Sequence, residues 1–431
     1  MSENLRTRRE FLRTSVLGAA LAGTAPAFLT HTWAALDAQG RDSAVAQTTG
    51  RDGTILVVLQ MAGGNDGLNT VVPFRNDHYR RARRRLALPE KDLLKLSDDL
   101  AWHPALKGFQ ALADSGQCSV VQGVGYPNPN RSHFRSTEIW QTASDSNRVM
   151  REGWIGRYFD HACPGCDPTV GVHIGRQMPQ AFTARTPRGI SVPGPARNRG
   201  GREPMGGGMR WAEDESALAE TPGGSIDDLS GASGASGSVL DFLDRTALDA
   251  QVSSSKVREI LARPASGTVY PGSPLAQSLK TVAQLIGGGM PTRIYYVSQG
   301  GYDTHRDQQG THARLLGELG DGVKAFVDDL KSQGNLERVL LMSFSEFGRR
   351  VAENGSGGTD HGAAGPMFLV GDKMSKRLLG QYPSLAPGDL VNGDLRFQVD
   401  FRQVYAGILE AWLKVPSEPI LGRKIIPLEW V

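Results

Sequence analysis

Carboxylate and imidazole side chains gather in the segment Glu337–Gly362, which runs from an apolar stretch into a polar, glycine-rich one. Glu346 follows the apolar residues, and Asp360 and His361 are adjacent near the end of the segment. Carboxylate oxygens and neutral imidazole nitrogens are the usual ligands of zinc, manganese and similar divalent cations. The alternative is an acidic strand end followed by a solvated turn. Taken alone, this segment favours neither interpretation.

Side chains that could bind a metal or act as a nucleophile also occur in three other polar stretches. Asp66 lies in a Gly-Gly-Asn-Asp-Gly turn, and Ser132 follows a proline-rich loop. Asp303 and His305 follow a pair of glycines. The aspartates and the histidine could ligate a metal, and Ser132 could be a metal-activated nucleophile. Each also has an ordinary interpretation, as a turn residue, a helix N-cap or a polar side chain at a strand end.

An apolar run typical of a buried strand precedes each of these stretches. Ligands of open α/β sheets gather beyond the carboxyl ends of the strands. The repetition of Asp, Ser, His and Glu at four such ends therefore favours one shared site over unrelated turns. The four runs are Thr54–Met61, Cys118–Gly123, Arg293–Ser298 and Val339–Phe344, and Phe368–Val370 continues the sheet.

Helical periodicity separates the apolar runs, which predicts an α/β fold. Ser132 would lie at a helix N-terminus, where Arg131 and Arg135 add positive charge for an anion. Asp400 is predicted to cap the last helix. The predicted helices are Leu100–Ser115, Phe134–Thr142, Val239–Ala262, Leu275–Ile286, His312–Lys331 and Phe401–Leu413, and Thr169–Ile174 is a short strand candidate.

Composition indicates an ordinary globular protein, with 39% hydrophobic residues, 22% charged residues and a formal net charge of +3. The basic run Arg80–Arg85 has no interleaved aromatics, so a solvated helix face is expected and no nucleic-acid partner. Cys163 and Cys166 form a C-x-x-C pair for which a short disulfide is possible. A zinc site there is disfavoured, because no second C-x-x-C accompanies the pair.

The first residues are predicted to be an export signal. Arg8 and Arg9 precede the apolar stretch Thr14–Leu29, which resembles a twin-arginine signal, and Ala25–Ala27 offers a small-x-small cleavage site. We assign residues 1–34 to the signal and leader, with a membrane anchor as the alternative. The expected partner is the twin-arginine translocation machinery. The expected location is periplasmic or extracellular, with no stable membrane span once the signal is removed.

The mature chain, residues 52–431, is expected to form one α/β domain. Pro193–Ser238 interrupts it with repeated Gly-Gly and Ser-Gly-Ala units and scattered acids. Such a composition buries too little apolar surface to order itself. We therefore predict a mobile insertion, and not a domain boundary, at this place.

Six motifs together resemble the secreted bacterial domain-of-unknown-function family 1501. They are the paired arginines, AGGNDGLNTVVP, YPNPNRSHFRSTEIWQTA, GGYDTH, SEFGRR and GTDHG, and they span nearly the whole mature chain. That family is in turn similar to the alkaline phosphatase and sulfatase superfamily. The resemblance implies an alkaline phosphatase-like fold, with a doubly wound, mostly parallel sheet flanked by helices. It also implies two divalent metal ions and a serine, threonine or modified cysteine nucleophile.

The same resemblance implies a distribution of the site residues over two metals. Zinc, manganese or calcium are the candidates. One ion would lie among Asp66, Ser132 and Glu346, with Ser132 as the catalytic nucleophile. The other would lie among Asp303, His305 and His361.

This chain departs from the superfamily pattern at several positions. Phe347 follows Glu346 where the superfamily usually has an Asp-His pair, so the second metal site is expected to be weak. The alternative is that Asp360 and His361 supply that pair. Asp303 and His305 are closer in sequence than is typical, which leaves His312 as a rival ligand. No Cys-x-Pro-x-Arg or Ser-x-Pro-x-Arg motif is present, which argues against a formylglycine mechanism.

The function expected from these features is an exported, metal-dependent hydrolase of phosphate or sulfate esters with a serine nucleophile. Its substrate would be a small-molecule or polymeric ester. The alternative is an exported binding or scaffolding protein that keeps the fold and lacks hydrolase activity. The missing histidine at Phe347 favours this alternative.

Overall fold

The computed structural model describes residues 53–186, 188–194 and 255–430. The predicted leader at residues 1–34 and nearly all of the predicted insertion Pro193–Ser238 lie outside the described residues. Most of the predicted helix Val239–Ala262 does too. Among the described residues, no helix is long and apolar enough to cross a membrane.

The described residues form twelve strands, and α-helices lie between many of them. The strands are β1 (Ile55–Ala62), β2 (Val71–Val72), β3 (Leu94–Lys95), β4 (Ala101–Trp102), β5 (Cys118–Gly125), β6 (Gly171–Ile174), β7 (Ile190–Val192), β8 (Ile294–Gly300), β9 (Val339–Phe344), β10 (Gly365–Val370), β11 (Leu378–Leu379) and β12 (Val399–Asp400). The helices are α1 (Gly67–Thr70), α2 (Asp77–Ala82), α3 (Lys107–Asp114), α4 (His133–Thr142), α5 (Trp154–Ala162), α6 (Pro274–Gly287), α7 (Gln308–Ser332), α8 (Phe401–Gly407) and α9 (Glu418–Leu421), and residues 255–261 are also helical.

One nine-stranded sheet organises the described residues. Its order is β11-β5-β10-β9-β1-β8-β6-β7, with β12 also beside β5. Neighbouring strands are parallel, except that β10 runs antiparallel to β5 and β9. The predicted α/β class, with a mostly parallel sheet flanked by helices, is confirmed.

Both faces of the sheet are buried, which explains the unbroken apolar runs. Along β1, Val57 and Leu59 contribute to one core, whereas Leu56 and Val58 contribute to the other. Alternate residues of a strand point to opposite faces, so a strand covered on both sides must be apolar throughout. Full burial of each such side chain stabilises the fold by roughly 1.5–3 kcal/mol. Helices α3, α6 and α7 pack on the first face, and α4, α5 and α8 on the second.

The predicted helix Leu100–Ser115 is wrong over its first half. Ala101–Trp102 is strand β4, which pairs with β2 and β3 in a small antiparallel sheet, and α3 begins only at Lys107. Trp102 is fully buried and its ring contacts those of Phe109 and Phe368. Tertiary packing of this large aromatic side chain overrides the local helical periodicity.

Other local predictions have mixed outcomes. Helix α8 begins at Phe401. The side chain of its N-cap residue, Asp400, accepts a hydrogen bond from Arg402 N in a capping box, so the predicted cap is confirmed. Cys163 and Cys166 form the short disulfide that was considered possible. The solvated face expected for the run Arg80–Arg85 is wrong for Arg83, which is fully buried because a carboxylate partner neutralises it in the interior.

Candidate metal centre

Four polar loops meet at one edge of the sheet. The parallel strands β1, β5, β8 and β9 all end there, and β10, which runs in the opposite direction, begins there. The loops that follow these four strands therefore come together, and the loop after β9 leads directly into β10. Residues that are far apart in sequence meet at this edge for a purely topological reason.

Three histidines surround the carboxylate of Asp303. Its Oδ1 lies 3.1 Å from Nε2 of His305 and 3.1 Å from Nε2 of His361. Its Oδ2 lies 3.5 Å from Nε2 of His133. The Nε2 atoms of His305 and His361 are 2.9 Å apart. We call these four residues the histidine–aspartate cluster.

An acceptor outside the cluster orients each imidazole through its other nitrogen. Nδ1 of His133 lies 2.9 Å from Oε1 of Glu346, and Nδ1 of His305 lies 3.1 Å from Oδ1 of Asp360. Nδ1 of His361 donates to the carbonyl oxygen of Arg131 at 2.8 Å. Because carboxylates and carbonyls only accept, each Nδ1 carries a hydrogen. A ring that gives up any Nε2 hydrogen to a cation then presents the Nε2 lone pair beside Asp303. Metal-binding histidines are held in this way.

The charges in the cluster perturb its titration. Burial alone would raise the pKa of Asp303, but hydrogen bonds from His133, His361 and Arg349 hold that pKa well below its ordinary value. Hydrogen bonds to Asp303 and Glu346 raise the pKa of His133 to about 9. Without a cation, His133 therefore carries a proton at neutral pH. A divalent cation would displace that proton, as metal binding to histidine generally does.

The donor set fits a borderline divalent cation. Ligand atoms of His133, Asp303 and His361 all lie within 4.8 Å of one another. Tetrahedral bonds of 2.0–2.1 Å place neighbouring ligand atoms about 3.4 Å apart. The Asp303 oxygens lie 3.1 Å from Nε2 of His361 and 3.5 Å from Nε2 of His133. Imidazole nitrogen with one carboxylate suits zinc or manganese. It does not suit calcium, which takes oxygen ligands only.

Glu346 lies behind His133. It is 2% exposed, and its Oε1 accepts hydrogen bonds from Gly63 N at 2.7 Å and from His133. Its Oε2 is buried and has no hydrogen-bond partner within the described residues. Phe347 packs its ring against those of His133 and His361. In this geometry Glu346 orients a histidine, and Phe347 forms the apolar wall behind it.

Asp66 faces a different partner. Its carboxylate lies 2.5 Å from Nη1 of Arg83 and also accepts from Nε2 of Gln308. Burial raises the pKa of Asp66, but Arg83 together with His312 and Gln308 outweighs burial, and the net shift is downward. Arg83 also donates to Asn69. We call Asp66, Arg83, Gln308 and Asn69 the aspartate–arginine cluster. The structure does not bring Asp66 among the ligand atoms of the histidine–aspartate cluster.

Ser132 occupies the N-cap position of α4, as expected, but its side chain makes no capping hydrogen bond. It is exposed. Its neighbour Arg131 contacts the cluster through its carbonyl oxygen, and its neighbour His133 belongs to the cluster. The guanidinium groups expected to add positive charge have carboxylate partners of their own. Arg131 pairs with Asp394, and Arg135 pairs with Glu138 at 2.7 Å.

His305, and not His312, accompanies Asp303. His312 lies within α7, where its Nε2 is 3.0 Å from Oδ1 of Asn65. It is buried, and burial lowers its pKa to about 3. A neutral, hydrogen-bonded histidine in the core is the ordinary structural outcome for this residue type.

Glycines allow these loops to approach closely. Gly63 has φ +118°, and a Cβ there would lie 2.4 Å from the backbone nitrogen of Asp303. A Cβ at Gly358 would lie 2.3 Å from the carbonyl carbon of His305. Both contacts are impossible for any other residue without backbone movement. The Gly-rich turns thus set the distance between β1, β8 and the loop that carries His361.

Sequence reasoning missed His133 and the arginine at position 349. His133 directly follows Ser132 at the junction of loop and helix, so its place in a strand-end loop was the available signal. Arg349 follows Glu346 in the SEFGRR motif and lacked a signal of its own. Its importance depends on backbone carbonyls from other loops, which no sequence pattern reveals.

A family model described as "Protein of unknown function (DUF1501)" matches residues 271–416. The matched segment contains Asp303, His305, Glu346 and His361 but not His133. None of the curated proteins matches the chain.

Three solved structures match this chain with low identities and low TM-scores. The lipoteichoic acid synthase LtaP from Listeria monocytogenes is 7% identical over 80% of this chain and 72% of its own, with a TM-score of 0.36. The C-terminal periplasmic domain of EcEptC from Escherichia coli, in complex with Zn, is 9% identical over 74% and 73%, with a TM-score of 0.35. Ps i-CgsB in complex with k-i-k-neocarrahexaose is 11% identical over 86% and 73%, with a TM-score of 0.34. The identities and TM-scores are too low for a functional argument. The match at residues 271–416 supports the relationship of this chain to the DUF1501 family.

Proposed function

We propose that this protein is an exported, divalent-metal-dependent hydrolase of phosphate or sulfate esters. One observation carries the proposal. The Nε2 atoms of three histidines converge on the Asp303 carboxylate, and each imidazole is fixed through Nδ1. The sheet topology brings the loops together, and a bound cation would explain why three imidazoles turn Nε2 towards one carboxylate.

In this proposal His133, Asp303, His305 and His361 hold one cation. Glu346, Asp360 and the Arg131 carbonyl keep the imidazoles in the ligating orientation. When bound, a divalent cation would act as a Lewis acid on the ester and lower the pKa of a hydroxyl or water beside it. Glu346 and Asp66 remain candidates for a second ion only if their present hydrogen bonds rearrange.

Ser132 is the proposed nucleophile. It is exposed at the N-terminus of α4 and adjacent in sequence to His133. The N-terminus of a helix favours negative charge, so the oxygens of a phosphate or sulfate ester are stabilised next to the serine. The side chain of Asp303 is 46% exposed, which leaves the cluster accessible to a substrate.

A second candidate is an exported metal-binding protein without hydrolase activity. In the part of the chain that the structure describes, Asp66 is paired with Arg83, and Glu346 is hydrogen-bonded to Gly63 and His133. The second ion of a two-metal mechanism therefore lacks a prepared set of ligands. Phe347 also stands where an additional histidine was expected.

Metal content and ester hydrolysis separate these candidates. The purified protein is loaded with zinc or manganese, its metal is quantified by mass spectrometry, and hydrolysis of p-nitrophenyl phosphate and p-nitrophenyl sulfate is followed. Bound metal, together with hydrolysis that Ser132→Ala abolishes, supports the leading proposal. One equivalent of metal without hydrolysis favours the binding protein. No bound metal contradicts both.

Export by the twin-arginine pathway is proposed from the sequence, since residues 1–34 lie outside the described residues. Replacing Arg8 and Arg9 together by lysine keeps the charge and removes the arginine pair. The precursor should then stay in the cytoplasm. An unchanged periplasmic yield of this variant would contradict the assignment.

A further inference from the structure

Arg349 is a fully buried guanidinium at the centre of the meeting loops. Its side chain is 0% exposed. Nε donates to the carbonyl oxygen of Gly64 at 2.7 Å, and Nη1 donates to that of Thr359 at 2.7 Å. Nη2 donates to the carbonyl oxygens of Gly63 and Tyr302 and to Oδ1 of Asp303, the last at 2.7 Å.

These acceptors belong to three separate pieces of chain. Gly63 and Gly64 follow β1, Tyr302 and Asp303 follow β8, and Thr359 immediately precedes the Asp360-His361 pair. Arg349 itself follows β9. One planar donor therefore fixes the backbone on which two proposed ligands, Asp303 and His361, are carried. Arginine suits this task because its five N–H groups have fixed directions, whereas a lysine ammonium is a point charge.

The hydrogen bond from Arg349 also fixes which oxygen of Asp303 faces which histidines. Arg349 holds Oδ1, on the same side as His305 and His361, and Oδ2 faces His133. Among the described residues, Asp303 is the only carboxylate paired with this guanidinium. A buried cation without its anion is strongly unfavourable, so the carboxylate is held beside Arg349 in one rotamer.

We infer that Arg349 is the positioning residue of the proposed metal centre, and that it orders Asp303 and the loop of His361 for ligation before a cation arrives. It touches neither substrate nor metal. The inference rests on the proposed metal site. Preorganised ligands bind a metal more tightly than ligands that must first be ordered.

Cobalt(II) is a suitable probe, because its visible absorption reports the geometry of the ligands directly. Titration of the full chain, purified free of metal, gives the affinity and the spectrum of the wild type. Arg349→Lys and Arg349→Met should each weaken cobalt binding by about 10- to 100-fold, as loss of outer partners generally does, and should alter the spectrum. The matched control is Arg350→Met, because the side chain of Arg350 contacts Asn392 and Asp394 and not the cluster. The backbone hydrogen bonds of Arg350 to Asp360 and Arg83 are kept in this variant. Its affinity and spectrum should equal those of the wild type.

A double-mutant cycle with Asp303→Asn tests whether Arg349 acts through the carboxylate. If it does, Arg349→Met should weaken cobalt binding much less in the Asp303→Asn background than in the wild type. Guanidinium added to Arg349→Ala should restore part of the affinity and the original spectrum. A merely structural arginine would lower the melting temperature without changing the spectrum of the folded fraction.

Three outcomes overturn the inference. Wild-type affinity and spectrum in folded Arg349→Met would show that the ligands need no such support. Failure of Arg349→Lys and Arg349→Met to fold, and of Arg349→Ala to fold when guanidinium is added, would assign the residue to stability alone. A wild type that binds no cobalt overturns the proposed function, and this inference with it, whereas the first two outcomes leave the metal site standing.

Discussion

Two polar clusters lie at the ends of neighbouring parallel strands and use the same kind of residue differently. Asp66 follows the glycine turn after β1, and Asp303 follows the glycine turn after β8. Asp66 belongs to the aspartate–arginine cluster, where its side chain is 0% exposed. Asp303 belongs to the histidine–aspartate cluster, where its side chain is 46% exposed.

The source of the countercharge separates the two clusters. Arg83 is a permanent cation provided by the chain, and it neutralises Asp66 in the dry interior. Around Asp303, the three imidazoles can present lone pairs when neutral, so the cluster is suited to a cation from outside. A strand-end aspartate is therefore structural where the fold supplies its own cation, and a candidate ligand where imidazoles converge on it.

The largest effect is expected from Asp66→Asn, which leaves Arg83 buried without an anion. Removing one partner of a buried pair typically costs about 3–5 kcal/mol of the free energy of unfolding. Urea denaturation of the metal-free protein measures this loss. The cobalt affinity of Asp66→Asn should stay within about twofold of the wild-type value. As the control, Asp77→Asn breaks an exposed pair with Arg81 and should cost less than about 1 kcal/mol. Loss of cobalt binding in Asp66→Asn would erase the distinction between the clusters.

The second prediction concerns His361→Ala, which removes a proposed ligand from the other cluster. Cobalt affinity should fall by more than about 100-fold, because loss of an outer partner alone costs 10- to 100-fold. The free energy of unfolding of the metal-free protein should change far less than in Asp66→Asn. His161, exposed on α5, provides the control variant His161→Ala. Isothermal titration calorimetry measures the cobalt affinity of both variants. Equal affinities of His361→Ala and His161→Ala would contradict the prediction.

A third, intermediate effect is expected from the residues that orient the imidazoles. Glu346→Gln and Asp360→Ala should each weaken cobalt binding by about 10- to 100-fold, because the imidazole of His133 or His305 loses its fixed orientation. Asp307 lies just beyond His305 and makes no contact with an imidazole nitrogen in the described residues. The control variant Asp307→Asn should therefore bind cobalt as the wild type does. Equal affinities in all three variants would mean that the imidazoles are fixed by packing alone.

The smallest effect should be a loss of stability in mild acid. It is caused by His103, which lies beside the aspartate–arginine cluster. Burial lowers the pKa of His103 from 6.5 to about 4. Between pH 6.5 and about 4 the unfolded chain therefore binds more protons at His103 than the folded chain does. The stability that the neutral His103 contributes is complete above pH 6.5 and is lost as the pH falls to about 4. Between pH 6.5 and 5.5 the free energy of unfolding should fall by about 1 kcal/mol from this residue.

His103→Asn removes that titration, so its free energy of unfolding should decrease less over the same interval. Urea denaturation of the metal-free wild type and variant at the two pH values measures the difference. An identical pH dependence in both proteins would show that His103 is not held neutral by burial.

The local structure followed from the sequence wherever burial alone decides it. The run Val339–Phe344 is strand β9 residue for residue, and the other apolar runs match strands within a few residues. A run that is apolar without alternation has to be covered on both faces, and this requirement acts within a single segment. For the same reason the strand ends, and with them Asp303, His305, Glu346 and His361, could be proposed as meeting at one edge.

The partner of each side chain was decided only by the tertiary structure. Asp66 and Asp303 follow similar glycine turns, yet one meets Arg83 and the other meets His133, which is distant in sequence. Trp102 is drawn into a small sheet by rings from α3 and β10. Electrostatic and packing energies depend on distances of a few ångströms between segments, and a linear pattern contains no such distances. The sequence therefore determined which residues stand at the edge of the sheet, and the three-dimensional packing determined which of them face a cation from the chain and which face one another.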